Sequence, residues 1–126
     1  MVPVMKIRNL LALLFLCCLA CKNTGKEAKQ EKFDKIKWGT TYGAQYPYRD
    51  NMLTDLITNY ELTGLKKGEV VNLLGPPNRS GSGYLFYTIV YEYRGNSPVP
   101  LHTKTLVIKL AKDSTVEWRE IHEEKR

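Results

Sequence analysis

The chain has 126 residues, a formal net charge of +6 and three cysteines, all of which lie within residues 17–21. A chain of this length forms one small domain with a modest core. Because no cysteine occurs after residue 21, a disulfide framework and a cysteine-based metal site are both excluded for the rest of the chain.

The positive charge is unevenly distributed along the chain. Residues 22–37 hold six lysines and three acidic residues, a net charge of +3, whereas residues 38–126 hold 11 basic and 10 acidic residues, a net charge of +1. Recognition of a nucleic acid needs a basic face on a folded element. The nearly balanced charge of the main part of the chain therefore argues against a nucleic-acid partner.

The front end, residues 5–21, has the layout of a secretory signal peptide. Lys6 and Arg8 form a short positive segment, residues 10–20 are an uncharged apolar run, and Lys22 begins a charged segment. The apolar run has 11 residues. That is too short for a membrane-spanning helix, which needs about 20.

This layout resembles the signal of bacterial lipoproteins, in which the chain is cut before a cysteine that carries lipid. The small residue Ala20 stands directly before Cys21, so the resemblance implies a signal peptide at 1–20 and attachment to the membrane through a lipid on Cys21. No Asp follows Cys21, which by the same resemblance favours the outer membrane, with the domain facing the periplasm or the cell surface. The alternative is a plain signal peptide that leaves Cys21 free.

Residues 21–37 are predicted to be a lipidated flexible tether. Lys, Glu and Gln dominate this segment, and it is nearly free of apolar residues before Phe33. Such a segment cannot bury enough surface to offset its ordering entropy. The alternative is a basic patch that lies on anionic headgroups. The folded domain is then predicted to comprise residues 38–126.

Two amphipathic helices and three strands are predicted in this domain. Apolar residues recur on one helical face from Met52 to Tyr60, and Gly75 followed by two prolines ends a second helix. Later segments rich in β-branched and aromatic residues are joined by turn-forming residues, which predicts an antiparallel meander. The predicted helices are 49–60 and 65–74, the strands 84–93, 102–111 and 115–122, and a mobile loop 78–83. The predicted fold class is α+β, with two N-terminal helices packed on a three-stranded antiparallel meander, in the order ααβββ.

The second predicted helix carries a family resemblance. Residues 62–77 read Leu-Thr-Gly-Leu-Lys-Lys-Gly-Glu-Val-Val-Asn-Leu-Leu-Gly-Pro-Pro, which resembles the signature of the SmpA/OmlA family of small outer-membrane lipoproteins. The pattern Arg49-x-x-Met52-x-x-Asp55-Leu56 resembles related lipoproteins of Bacteroidetes-type bacteria. The resemblance implies a BamE-like fold and an accessory role in outer-membrane assembly. The same ααβββ unit builds β-lactamase-inhibitor-like proteins, so the alternative is a binder of a hydrolase that uses the loop 78–83.

The candidate binding surface is aromatic. Strict alternation along the first strand predicts that Tyr87, Tyr91 and Tyr93 share one face, while Tyr84 and Phe86 share the other. Aromatic residues and Arg are enriched at the hot spots of protein interfaces. The candidate residues for binding an envelope protein are Tyr84, Phe86, Tyr87, Tyr91, Arg79 and Arg94. The competing interpretation is that one face is core and the other is merely half-covered sheet.

The sequence gives little support for catalysis or for a cofactor. The two histidines, His102 and His122, lack further ligands at metal-binding spacing, and Ser80 and Ser82 lack a nucleophile elbow. Neither a metal nor a cofactor is expected, and an enzyme is the third and least favoured hypothesis. If Arg49 does more than cap a helix, it is expected to contact Asp55.

Overall fold

The computed structural model describes residues 29–126, which form three helices followed by four strands. The predicted signal peptide and the lipid acceptor Cys21 lie outside the described residues. The helices are α1 (Lys35–Gly39), α2 (Arg49–Asn59) and α3 (Lys67–Leu74). The strands are β1 (Arg79–Gly81), β2 (Tyr84–Tyr93), β3 (Pro100–Leu110) and β4 (Val116–Lys125).

The four strands form one antiparallel sheet in the order β1-β2-β3-β4. The α+β class is therefore as predicted, with the helices before the strands. The finer order ααβββ is incomplete, because the sheet has a fourth strand and the helices number three.

The additional strand lies in the segment that was expected to be a mobile loop. Arg79–Gly81 pairs with β2, and a two-residue turn joins the two strands. In this turn Ser82 and Gly83 both have positive φ values, 52° and 80°. Positive φ at both central positions is the geometry of a tight hairpin whose twist matches its strands. Residues 78–83 are thus the start of the sheet and not a free loop.

The additional helix lies within the segment that was expected to be a tether. Asp34 caps α1, because its Oδ1 accepts hydrogen bonds from the backbone N–H of Ile36 at 2.9 Å and of Lys37 at 3.2 Å. Trp38 in this helix is fully buried, and Phe33 packs against the core. The predicted boundary at residue 38 is therefore wrong: it falls inside α1, and two aromatic side chains give this segment the buried surface that its lysines lack.

The core lies between the helices and one face of the sheet. Leu74, the last residue of α3, is buried, and the N–H of Gly75 then donates to the carbonyl oxygen of Val71 at 2.8 Å to end the helix. The buried core residues are Trp38, Met52, Leu53, Leu56, Val70, Leu74, Leu85, Tyr87, Ile89, Leu106, Ile108, Leu110 and Val116.

Arg49, the first residue of α2, is buried beside this core and is only 3% exposed. Its Nε donates to the carbonyl oxygen of Trp38 at 2.8 Å, and its Nη1 donates to the carbonyl oxygen of Thr88 at 2.8 Å. The guanidinium carbon lies 3.5 Å from the ring centroid of Tyr46 and 4.8 Å from that of Trp38. The predicted Arg49–Asp55 contact is wrong, because Asp55 accepts instead from the backbone N–H of Phe33.

Asn78 extends the contacts of Arg49 to the first hairpin. Its Oδ1 accepts from Arg49 Nη1 at 3.1 Å and from the N–H of Thr88 at 2.9 Å, while its Nδ2 donates to the Tyr46 hydroxyl. No carboxylate of residues 29–126 forms an ion pair with Arg49. Burial lowers the pKa of Arg49 to about 10, so the side chain is still a cation at neutral pH.

Replacing Arg49 by Lys tests this arrangement. Lysine keeps the charge but loses the planar fork, so its ammonium cannot reproduce the hydrogen bonds to the buried Trp38 carbonyl and the partly buried Thr88 carbonyl together with the stacking on Tyr46. The Arg49→Lys change is expected to lower the free energy of unfolding by at least about 2 kcal/mol in a denaturant titration. The matched control is the same change at the exposed Arg79, which should cost no more than about 0.5 kcal/mol. Equal denaturation midpoints for the Arg49→Lys and Arg79→Lys variants would contradict the conclusion that the buried Arg49 side chain stabilises the fold.

Candidate interaction face

An irregularity in β2 determines which of its side chains lie on each face of the sheet. The register between β2 and β3 shifts between Thr88 and Val90, and both Ile89 and Val90 pack on the helix side. This is a β-bulge, which places two residues opposite one on the partner strand. Alternation resumes after it with the opposite phase.

The bulge separates the tyrosines that alternation had placed together. Tyr87 is fully buried on the helix side, where its hydroxyl donates to the carbonyl oxygen of Gly75 at 2.9 Å. Burial raises its pKa to about 12. Tyr91 pairs with Thr103, and cross-strand partners share a face, so it lies on the opposite, helix-free side. The prediction that Tyr87 binds a partner is therefore wrong, because its side chain is fully buried.

We call the helix-free side of the sheet the open face. At the end of this face nearest the first hairpin, Tyr84 stacks on Phe86 with ring centroids 6.1 Å apart. Trp118 from β4 meets Tyr84 edge-on at 6.0 Å and is 37% exposed. Val107 lies in the middle of this group and is only 6% exposed. The open face thus has a small apolar cluster of its own, separated from the main core by the sheet.

Two cations cover rings of this cluster. The guanidinium carbon of Arg79 lies 4.5 Å from the Phe86 centroid, and Lys109 Nζ lies 4.6 Å from the Tyr84 centroid. A cation over a ring face is attracted by the quadrupole of the ring. Both side chains are supplied by cross-strand pairing, since Arg79 is opposite Phe86 and Lys109 is opposite Tyr84.

Together these side chains form a shallow groove of about 400 Å³, which we call the aromatic groove. Its floor is apolar, and its rim carries hydroxyl, imidazole and guanidinium groups. The lining residues are Arg79, Tyr84, Phe86, Thr105, Val107, Trp118 and His122.

The other predicted binding residues lie elsewhere on the molecule. Tyr91 and Tyr93 form an edge-to-face pair at 4.9 Å with their hydroxyls hydrogen-bonded. Arg94 follows β2 at that same end. Strands rise about 3.3 Å per residue, so this end is roughly 20 Å from Phe86. The structure brings Tyr84, Phe86 and Arg79 together and keeps Tyr91 and Arg94 apart from them.

Four groove residues were missed by the sequence analysis: Thr105, Val107, Trp118 and His122. They belong to β3 and β4, so only the register of the sheet brings them to the groove. The pairing of Trp118 with Lys109, and of Lys109 with Tyr84, places three strands side by side. The short turn between β3 and β4 predicted that these strands pair, but the register shifts between Lys109 and Leu110, so the turn alone does not place Trp118 opposite Lys109.

Several charged side chains of residues 29–126 are paired with one another. His102 Nε2 lies 2.8 Å from Glu123 Oε1, and Lys104 Nζ lies 2.7 Å from Asp50 Oδ1. The hydrogen bond from His102 is the main reason that the pKa of Glu123 lies below its usual value. Within residues 29–126, no group of three or more His, Cys, Asp or Glu side chains is placed to hold a metal ion.

Comparisons with known proteins add no relative. No family model matches this chain, and neither a curated protein nor a solved structure matches it. The resemblance to the SmpA/OmlA family therefore stays a prediction. Among the described residues, no helix has the length and apolar character needed to cross a membrane.

Two tyrosines of the same strand test the assignment of faces. Tyr87→Ala should lower the free energy of unfolding by about 3–5 kcal/mol, as expected for a large buried ring. Tyr91→Ala removes a half-exposed ring and one aromatic pair, so its cost should be about 1–2 kcal/mol. Denaturant titration of both variants measures the difference. Similar losses at the two positions would show that the bulge does not invert the strand.

Proposed function

We propose that this chain is a lipid-anchored protein of the cell envelope that binds another envelope protein through the open face of its sheet and performs no chemistry. The observation that carries the proposal is the aromatic groove, in which three rings and an arginine from different strands surround a shallow apolar floor. Aromatic rings and Arg are the side chains that most often dominate binding energy at protein interfaces.

The shape of the groove favours a macromolecular partner over a small substrate. It is shallow and open to solvent, whereas ligand sites that do chemistry usually enclose most of their ligand. The charged groups at the rim are already engaged with the rings, since Arg79 covers Phe86 and Lys109 covers Tyr84. Such a surface can bury a side chain or short segment of a partner while the rim supplies polar contacts.

The cellular location in this proposal rests on the sequence of the front end. The layout of residues 5–21, with Ala20 before Cys21, supports cleavage and lipidation at Cys21. The fold order of helices before an antiparallel sheet is compatible with the BamE-like resemblance. We therefore propose the outer membrane as the location and an accessory role in outer-membrane assembly as the process.

Inhibition of a hydrolase is the second candidate function. It is favoured by the first hairpin, whose tip at Ser82 and Gly83 is held by strand pairing and whose base is fixed by the three hydrogen bonds of Asn78. A preorganised tip loses little entropy on entering a cleft. This candidate would use the tip of the hairpin and not the aromatic groove.

Site-specific photocrosslinking in native membranes distinguishes the two candidates. A photoreactive residue is introduced into the full chain at position 118, 82 or 42, where Tyr42 is an exposed aromatic residue outside the groove. Interaction through the groove predicts one discrete envelope-protein adduct from position 118 that is lost when Phe86→Ala is added. An adduct from position 82 alone supports the hydrolase candidate. Equal adducts from positions 118 and 42 would overturn both.

Replacement of the lipid acceptor tests the proposed anchor. Acyl chains contribute about 0.8 kcal/mol for each buried CH₂ group, so two or three chains hold a protein stably at the bilayer. Cys21→Ser should therefore leave the chain unprocessed or release it into the soluble fraction, as measured by membrane fractionation and intact mass. Cys18→Ser is the matched control and should fractionate like the unsubstituted chain. A processed Cys21→Ser protein that stays in the membrane fraction would disprove lipid anchoring.

A further inference from the structure

Strand β4 forms one edge of the sheet and has a long free side. Its outer side is occupied only at its start, where Val116 exchanges backbone hydrogen bonds with Gly64 and Leu65 at 2.8–2.9 Å. From residue 117 to residue 125, no backbone group of residues 29–126 pairs with this side. An unpaired edge of this length is a template for another strand.

We propose that a second copy of this chain pairs with this edge, antiparallel and centred on Ile121, so that two sheets join into one of eight strands. Trp118 and His122 of this strand also line the aromatic groove, but strand pairing uses the backbone edge of β4, so the proposal does not depend on the proposed function. The two copies would be related by a two-fold axis normal to the sheet. Each residue before the centre of one strand then faces the residue that lies equally far after the centre of the other strand. The centre of residues 117–125 is residue 121, so this register uses the whole free edge.

The charges of the strand match in this register. Arg119, which donates to the carbonyl oxygen of Ile57 at 3.3 Å within its own chain, faces Glu123 of the second copy. Glu120 faces His122 of the second copy, whose ring N–H can donate to the carboxylate. Each of these pairs occurs twice because of the symmetry. Opposite charges directly across a pair of strands are stabilising, and like charges are destabilising.

The other symmetric registers are disfavoured by the same sequence. A centre at any other position from 117 to 125 except Trp118 places a charged residue or His122 against its own copy. Centring on His122 also places Glu120 against Glu124 and Arg119 against Lys125. Centring on Trp118 requires the outer side of Val116, which Gly64 and Leu65 already occupy.

The central residue has a side chain suited to burial between two copies. Ile121 is 37% exposed in the single chain, and across the axis it would face another Ile121. Charged residues on an edge usually prevent pairing of strands. Here the order of the polar residues disfavours every symmetric register except those centred on Ile121 and Trp118, and the contacts of Val116 with Gly64 and Leu65 block the second of these.

Disulfide crosslinking tests the register directly. In the full chain, Ile121→Cys places two thiols directly opposite each other across the axis, at a separation close to that of a disulfide. Trypsin cuts after Arg119 and Lys125, so the expected product is the peptide 120–125 linked to itself, identified by mass spectrometry. The control Glu124→Cys places its thiols roughly 20 Å apart and should give at least about tenfold less of its own linked peptide. Equal yields at the two positions would overturn the proposal.

A charge exchange tests the energetic basis without a new thiol. Arg119→Glu puts two carboxylates opposite each other at two places, so the dimer should dissociate at least about tenfold more readily by sedimentation in detergent. Adding Glu123→Arg restores opposite charges and should restore association. Melting curves verify that each variant is folded, and Glu61→Arg is a charge change away from the edge that should leave association unchanged. A folded Arg119→Glu variant that associates normally, or a folded double variant that does not recover, would overturn the proposal.

Discussion

The fold depends on the burial of one cation without a carboxylate. Arg49 is held by two backbone carbonyl groups, one side-chain amide and two aromatic rings. These groups come from the first helix, the lead-in to the second helix, the residue just before β1, and β2. Removing a charge from water is costly unless its donors are satisfied. The same requirement that fixes the guanidinium therefore fixes the positions of α1, of Tyr46 and of the hairpin base at Asn78 relative to the sheet.

The sheet separates two apolar groups of different character. The group on the helix side is a dense core that excludes water, whereas the group on the open face is one residue deep and covered by cationic side chains. Val107 is buried there by neighbours that are themselves partly exposed. Such a layer stabilises the sheet and remains available for contact, which is why it is the surface through which recognition is proposed.

The sequence predicted the regular elements well where a local signal existed. The strand predicted at 84–93 coincides with β2, and the helix predicted at 65–74 ends at Leu74 because Gly75 stops it. Helix α1 was missed because its five residues lie in a lysine-rich segment, where burial of Trp38 decides the structure. Strand β1 was missed because its three residues include Ser and Gly, which have low β-propensity. Such short elements form only against an existing sheet or core.

The candidate site was predicted in part, and the errors have one cause. Tyr84, Phe86 and Arg79 meet as cross-strand neighbours, which alternation allows. Tyr87 and Tyr91 were expected on one face but lie on opposite faces, because one inserted residue inverts every later side chain. No Gly marks this bulge near Ile89. Trp118 joined the groove through pairing between β3 and β4. Local sequence patterns do not determine long-range register of this kind.

Contacts of Glu31 and Phe33 with the second helix limit how far the domain can be from the proposed lipid anchor. The backbone N–H of Glu31 donates to the carbonyl oxygen of Asn51 at 2.8 Å, and the N–H of Phe33 donates to Asp55 at 2.7 Å. Ten residues then separate Glu31 from the proposed lipid site at Cys21, and a fully extended chain spans at most about 3.6 Å per residue. If Cys21 is lipidated as proposed, Glu31 would stay within about 36 Å of the anchored residue. The proposed partner would then have to come close to the membrane surface.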